Sequence, residues 1–311
     1  MPHTNTAHLD HALSHSPACV GLDPVLEKLP EPLRAEHWQP PRAIEHFCRG
    51  VLDAVAPHVR IVKPQSACFE RYGSPGWLAL DHTIRHARDL GLFVILDAKR
   101  GDIGVSAEHY AAAAANLGAH AITVSPYLGA ETIEPYLDAG LVVFVLVRTS
   151  NPGGDQVQSP ALADGRTVGG MVAQIVRDLG AARTPPPEPG TEPKPAPQPG
   201  MQAAPSTHSR RSNPVGAVVG ATKAEEGVAL RRLMPDTLFL VPGYGAQGGT
   251  LDHVRRLVRP AATGPADAGV IVNSSRAVLY PRTPDTGDWA TAIGQAAARL
   301  ASELEALFPG A

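Results

Sequence analysis

Apolar residues along this chain fall into short, β-branched runs separated by longer stretches with helical spacing. The runs are Ala18–Leu22, Val59–Val62, Leu92–Leu96, Ala121–Val124, Leu141–Val147, Val215–Val219, Leu238–Val241 and Val270–Val272. Helical spacing marks Ala43–Val55, Trp77–Leu90, Ala107–Leu117, Val168–Leu179 and Ala224–Leu233, and Trp289–Leu307 closes the chain. Near-continuous apolar strands are those covered on both faces, as in a parallel sheet. Their alternation with helices predicts an α/β protein, a closed (β/α)8 barrel rather than an open doubly wound sheet. The 311 residues accommodate one such barrel of about 250 residues, so a single domain is expected.

The alternation breaks once. Residues 183–214 hold 10 prolines in 32 positions and almost no large apolar side chains. Such a segment cannot bury enough surface to offset its ordering entropy. It is expected to be a disordered insertion between the fifth helix and the sixth strand, at the end of the barrel remote from catalysis. The formal charge of −3 gives no general affinity for nucleic acid or an anionic membrane. Cys19, Cys48 and Cys68 form no CxxC pair, which excludes a zinc ribbon and suits a reducing compartment. No apolar run approaches the roughly 20 residues of a membrane span, and Met1–Asp10 is too polar for a signal peptide. A cytoplasmic protein is expected. His8, His11 and His15 have helical spacing that could bind metal, but they precede the first strand and read as part of a solvated N-terminal helix.

In a parallel barrel the C-terminal ends of all strands open on one mouth. The residues that follow the eight runs there are Asp23, Lys63, Asp97 with Lys99, Ser125, the stretch from Arg148 to Asn151, Gly220 to Thr222, Gly243 to Gly249, and Asn273 to Arg276. The chain uses 22 arginines but five lysines, and two of those five stand at adjacent strand ends. Lysine, unlike arginine, can give up a proton near neutral pH. On an extended strand Asp97 and Lys99 share a side, and Lys63 on the neighbouring strand would meet them. Such an array is more often functional than structural, although an ion-pair network tying strand two to strand three would use the same residues. The run Pro242-Gly-Tyr-Gly-Ala-Gln-Gly-Gly249 suits an anion cradle near a helix start, with Arg276 as a bidentate fork. A plain chain reversal would also use glycines there.

The runs GLDP (Gly21–Pro24), VKPQ (Val62–Gln65), LDAKRGDIG (Leu96–Gly104), RTSNPGG (Arg148–Gly154), VPGYGAQGG (Val241–Gly249) and VNSSRAV (Val272–Val278) resemble the orotidine 5′-phosphate decarboxylases, in their longer bacterial (type 2) branch. The resemblance implies a charged tetrad of Lys63, Asp97, Lys99 and Asp102. Asp102 and Ile103 would reach into the partner's site, so a homodimer with composite sites is expected. Asp23 and Lys63 would bind ribose hydroxyls, with Ser106 a further ribose contact across the interface. Ser150 would bind the pyrimidine amide edge, and Gln247 with Arg276 the phosphate, in a loop that includes Pro242, Gly245 and Gly248.

Loss of CO2 from C6 of orotidylate leaves an electron pair on a vinylic carbon with no conjugated sink. No metal, pyridoxal or thiamine motif is present, so no cofactor is expected and protein charges must stabilise that carbon. Lys99 would do so and deliver the proton, with Asp97 and Asp102 fixing it. The Gly243–Gly249 loop is the candidate lid. The rival is a magnesium-dependent keto-sugar-phosphate decarboxylase or hexulose-phosphate synthase. Its metal wants an acid at the end of strand two, where this chain has Lys63. A Schiff-base aldolase using Lys99 would suit the same barrel, but two flanking carboxylates should keep that lysine protonated. A non-catalytic nucleotide-binding barrel would have no need of both lysines and all three acids.

Overall fold

A computed structural model describes residues 4–35, 39–184, 213–281 and 288–308. Its strands are β1 (Ala18–Leu22), β2 (Ile61–Pro64), β3 (Phe93–Arg100), β4 (Ala121–Val124), β5 (Val142–Arg148), β6 (Val215–Val219), β7 (Phe239–Val241) and β8 (Val270–Ser274). Each pairs in parallel with the next, and β8 closes on β1 through Cys19 opposite Asn273 and Val20 opposite Ser274. The expected (β/α)8 barrel is therefore the architecture. Helices such as Pro40–Val55, Gly73–Asp89, Gly104–Asn116, Val168–Arg183, Ala224–Leu233 and Trp289–Glu305 sheathe it.

Side-chain alternation along each strand divides the apolar residues into two sets. Cys19, Ile61, Phe93, Ile95, Phe144 and Leu240 belong to the set that fills the barrel. Val20, Val62, Val94, Val143 and Val145 belong to the larger set packed beneath the helices. Four strands, β2, β3, β5 and β8, run further toward the mouth than their apolar runs suggest. Lys63 lies within β2, and both Asp97 and Lys99 lie within β3.

The opposite end is plugged. The N-terminal helix α1 (Thr4–Leu13) buries Leu9, Ala12 and Leu13 in the barrel-filling cluster. The expected solvated helix is thus corrected: its apolar residues stopper the barrel. His8 packs edge-on to Phe93 and His120, with ring centroids 5.6 and 4.5 Å away, whereas His11 pairs with His15 at 4.9 Å. His120 Nδ1 accepts the Val94 N–H at 3.0 Å, which fixes it as the unprotonated nitrogen. Nearby, the buried Arg231 donates to the carbonyls of Leu257, Met234, Thr237 and Gly269 and lies 3.6 Å over the Phe239 ring. It ties the helix Ala224–Leu233 to the chain entering β7 and β8.

Of the proline-rich segment, residues 185–212 lie outside the described residues. Its flanks meet: a Cβ on Gly180 would stand 2.1 Å from the Asn213 amide, and Asn213 also accepts the Val215 N–H at 2.8 Å. The segment therefore leaves and rejoins the barrel at one place, before β6 and away from the mouth. Among the described residues no helix is long and apolar enough to cross a membrane.

Burial pushes His120 down from its ordinary 6.5 to about 3, with the His8 and Arg88 charges acting the same way. The unfolded chain therefore takes up this proton first. The stability involved is complete above about pH 6.5 and is lost as pH falls toward 3. Urea unfolding midpoints are expected to drop between pH 7 and pH 4.5. The drop should shrink in His120→Asn, whose side-chain oxygen can still accept the Val94 N–H; an equal drop in both proteins would exclude His120 as the source.

Candidate active site

Beyond its last ladder pair, β2 continues beside β3. Gln65 bridges to Asp97, and Ser66 N donates to the Asp97 carbonyl at 3.1 Å. This puts the Asp97 carboxylate, 6% exposed, against Lys63, 4% exposed. Asp97 Oδ2 accepts from Lys63 Nζ at 2.7 Å and from Gln65 Nε2 at 3.0 Å. Asp97 Oδ1 accepts from Lys99 Nζ at 2.6 Å and from Thr123 Oγ1 at 2.9 Å. The Lys99 side chain is 47% exposed, so of the two ammonium groups it is the one presented to the mouth.

The cluster's charges sustain each other. Burial alone would raise the Asp97 carboxyl, but Lys63 and Lys99 hold it well below the usual carboxylate range. Burial likewise opposes a charged Lys63, yet Asp97 and then Asp23 raise it above the ordinary lysine value. A depressed acid contributes stability that is lost as pH falls, and a raised base contributes stability that is lost as pH rises. The pair's contribution is therefore complete between about pH 4 and about pH 10 and is lost progressively beyond those limits. Asp23 Oδ1 is buried and has no hydrogen-bond partner among the described residues, which is costly in a folded protein.

Across the mouth, the loop after β7 folds on itself. Gly249 N donates to Gly243 O at 3.0 Å, Gly245 N to Gly249 O at 2.9 Å, and Gly248 N to Gly245 O at 2.8 Å. Gly243, Gly245 and Gly248 all have positive φ, and a Cβ on Gly249 would stand 2.5 Å from Gly243 O. Three of the loop's amides, those of Gly245, Gly248 and Gly249, are thereby committed to the loop itself. Gln247 Oε1 accepts from Ser150 Oγ at 2.9 Å, and Arg276 Nη2 donates to Ala246 O at 3.4 Å. Pro242 anchors the loop's start by accepting the Ala221 N–H at 2.9 Å. Ser150, Gln247 and Arg276 thus gather around one side of the mouth.

Three expected residues stand apart in the single chain. Asp102 accepts the N–H of Ile103 at 2.8 Å, Ile103 is 61% exposed, and Ser106 is exposed on the first turn of Gly104–Asn116. No contact joins them to Lys63, Asp97 and Lys99. Arg148, the last residue of β5, serves structure. It is buried and donates to Glu226 at 2.5 and 2.8 Å, to Gln158 at 3.2 Å and to Asp155, which Lys223 also meets at 2.7 Å. Gln65, part of VKPQ but given no role there, and Thr123, in none of the motif runs, both bond the Asp97 carboxylate. The signal for Thr123 was a hydroxyl inside the apolar run Ala121–Val124.

Fold and site together define a (β/α)8 barrel with a charged cluster at the C-terminal ends of its strands, the face on which enzymes of this architecture carry their chemistry. The chain belongs to the orotidine 5′-phosphate decarboxylase / HUMPS family, whose model matches residues 16–286. It is 38% identical to the orotidine 5′-phosphate decarboxylase of Rhodopirellula baltica, covering 93% of this chain and 94% of that protein. It is 39% identical to the Bordetella pertussis decarboxylase, over 96% of this chain and 97% of that one. The solved OMP decarboxylase of Leishmania donovani superposes with a TM-score of 0.71 at 28% identity, over 97% of this chain and 98% of that one.

Asp97→Leu would leave the Lys63 and Lys99 ammonium groups facing an apolar side chain. Breaking a buried pair in this way is expected to cost about 3 kcal/mol or more in urea unfolding at pH 7. A variant as stable as the parent would show that the cluster contributes nothing to the fold.

Proposed function

We propose that this chain removes CO2 from orotidine 5′-phosphate to give uridine 5′-phosphate, the last step of de novo UMP synthesis, with Lys99 as the group at the reacting carbon. The observation that carries the reading is the Lys99 ammonium, held on Asp97 and half open to the mouth, with Lys63 buried behind the same carboxylate. As the C6–carboxylate bond breaks, its electron pair stays on C6. The ammonium offsets that charge and then passes one proton to C6, while CO2 departs. Asp97, already committed to four donors, keeps the ammonium in place.

The remaining roles distribute over the mouth. The unpartnered Asp23 oxygen suits a ribose hydroxyl, with Lys63 beside it. Ser150 reads the pyrimidine edge, and Gln247 with Arg276 holds the phosphate. Gripping that remote group supplies binding energy usable at C6. Lys63 within the cluster opposes a divalent cation there, which disfavours a magnesium-dependent sugar-phosphate reaction.

Asp102, Ile103 and Ser106 act across a homodimer. Support comes from the exposed apolar side chains around them: Ile103, Val105 and Tyr110, with Tyr127 and Leu128 from the loop after β4. That loop adjoins the end of β3, where Ser125 N donates to Arg100 O at 2.7 Å. A monomer rarely leaves such a patch uncovered. The free thiols of Cys19, Cys48 and Cys68 suit a reducing, cytoplasmic setting.

The decisive measurement is the loss of absorbance as orotidylate becomes uridylate. Turnover is expected to persist in EDTA and to fall by roughly 10⁴-fold or more in Lys99→Ala. Equal rates in parent and variant would remove Lys99 from the mechanism. Tight uridylate binding with no turnover by the parent would favour the non-catalytic barrel. Sedimentation should give a dimer, and Tyr127→Glu should yield monomers with little activity; fully active monomers would end the composite-site reading.

A further inference from the structure

The ladder between β3 and β4 is irregular at the site. Leu96 pairs with Ile122 and Arg100 with Val124, so Asp97, Ala98 and Lys99 all stand opposite the single residue Thr123. This bulge is what turns Lys99 back toward Asp97. It also costs energy: Lys99 has φ 46°, the one non-glycine residue with positive φ among the described residues. Bulges beside active sites commonly re-aim a side chain in this way.

Thr123, 2% exposed, touches both charged residues. Its Oγ1 accepts the Lys99 N–H at 3.0 Å and donates to Asp97 Oδ1 at 2.9 Å. The direction of both bonds is forced. A backbone N–H can only donate and an ionised carboxylate can only accept, so the single hydroxyl proton must point at Asp97. The hydroxyl thereby replaces the carbonyl that the Lys99 N–H loses at the bulge. On the same carboxylate oxygen it lies beside the Lys99 ammonium. One atom thus fixes the backbone of Lys99 and the seat of its charge.

We propose that Thr123 is a positioning residue, holding the β3 bulge so that the Lys99 ammonium is aimed at the reacting carbon. The inference rests on the decarboxylase reading for its kinetic consequence but not for its geometric one. Removing the hydroxyl strands a buried N–H and one acceptor site of Asp97, and leaves the phosphate and ribose contacts untouched.

Thr123→Val keeps the shape of the side chain without the hydroxyl, and Thr123→Ser keeps the hydroxyl. The valine variant is expected to lose roughly 10²-fold in kcat with KM within about threefold of the parent. The serine variant should recover kcat to within about fivefold, since it restores the same bonds. Thr123→Ala carries the expectation for valine should that chain not fold. A merely structural role would lower the urea midpoint and leave kcat per folded enzyme unchanged, which would overturn the proposal, as would a serine variant no better than valine. A crystal structure of the valine variant gives a readout independent of turnover. Lys99 should leave positive φ and its ammonium should move out of hydrogen-bond distance of Asp97; an unchanged Lys99 would refute the positioning role. If the parent turns over no orotidylate, the proposed function falls, while this structural comparison still decides the role of Thr123.

Discussion

The Asp97 carboxylate is the constraint around which the mouth of the barrel is arranged. A buried anion is tolerated only when its charge is balanced and its oxygens are hydrogen-bonded. Here each oxygen receives one ammonium and one neutral donor: Lys63 with Gln65, and Lys99 with Thr123. The donors come from β2, the turn after it, β3 and β4. Three neighbouring strands must therefore keep their relative heights for the charges to cancel. The arrangement that neutralises Asp97 also holds the Lys99 ammonium at the rim, about half open to the mouth.

The barrel separates the needs of its two ends. Away from the mouth, α1 stoppers the interior with Leu9, Ala12 and Leu13, and Arg231 satisfies four backbone carbonyls where the chain enters β7 and β8. The close approach of Gly180 and Asn213 puts the base of the proline-rich segment on that side too. At the mouth the requirement is reversed, with polar groups left partly open. Ser150 and Gln247 meet there across 97 residues of sequence. The Arg148 network ties the end of β5 to Asp155, Gln158 and Glu226, so an arginine at a strand end need not face a ligand.

Much of this was legible in the chain. The eight apolar runs placed the strands within four residues of their observed limits, because strands buried on both faces have little room for polar residues. Lys63 meets Asp97 because adjacent parallel strands bring their ends to one height, whereas Lys99 meets it through the β3 bulge rather than through extended-strand alternation. The solvated reading of the N-terminal helix failed for a physical reason: its short apolar stripe is too weak to announce burial, and only the open end of a barrel gives it a partner.

The periodicity of the sequence by itself determined the closed barrel, and the scarcity of lysine together with the glycine-rich turn located the mouth. Those are local properties, set by which side chains suit a strand, a helix or a tight turn. Tertiary structure alone decided how the charges are seated. The bulge that places three residues of β3 opposite Thr123, the left-handed backbone of Lys99 and the unpartnered oxygen of Asp23 all depend on the relative height of neighbouring strands. That height is fixed by closure of the whole ring, a condition no short stretch of sequence carries.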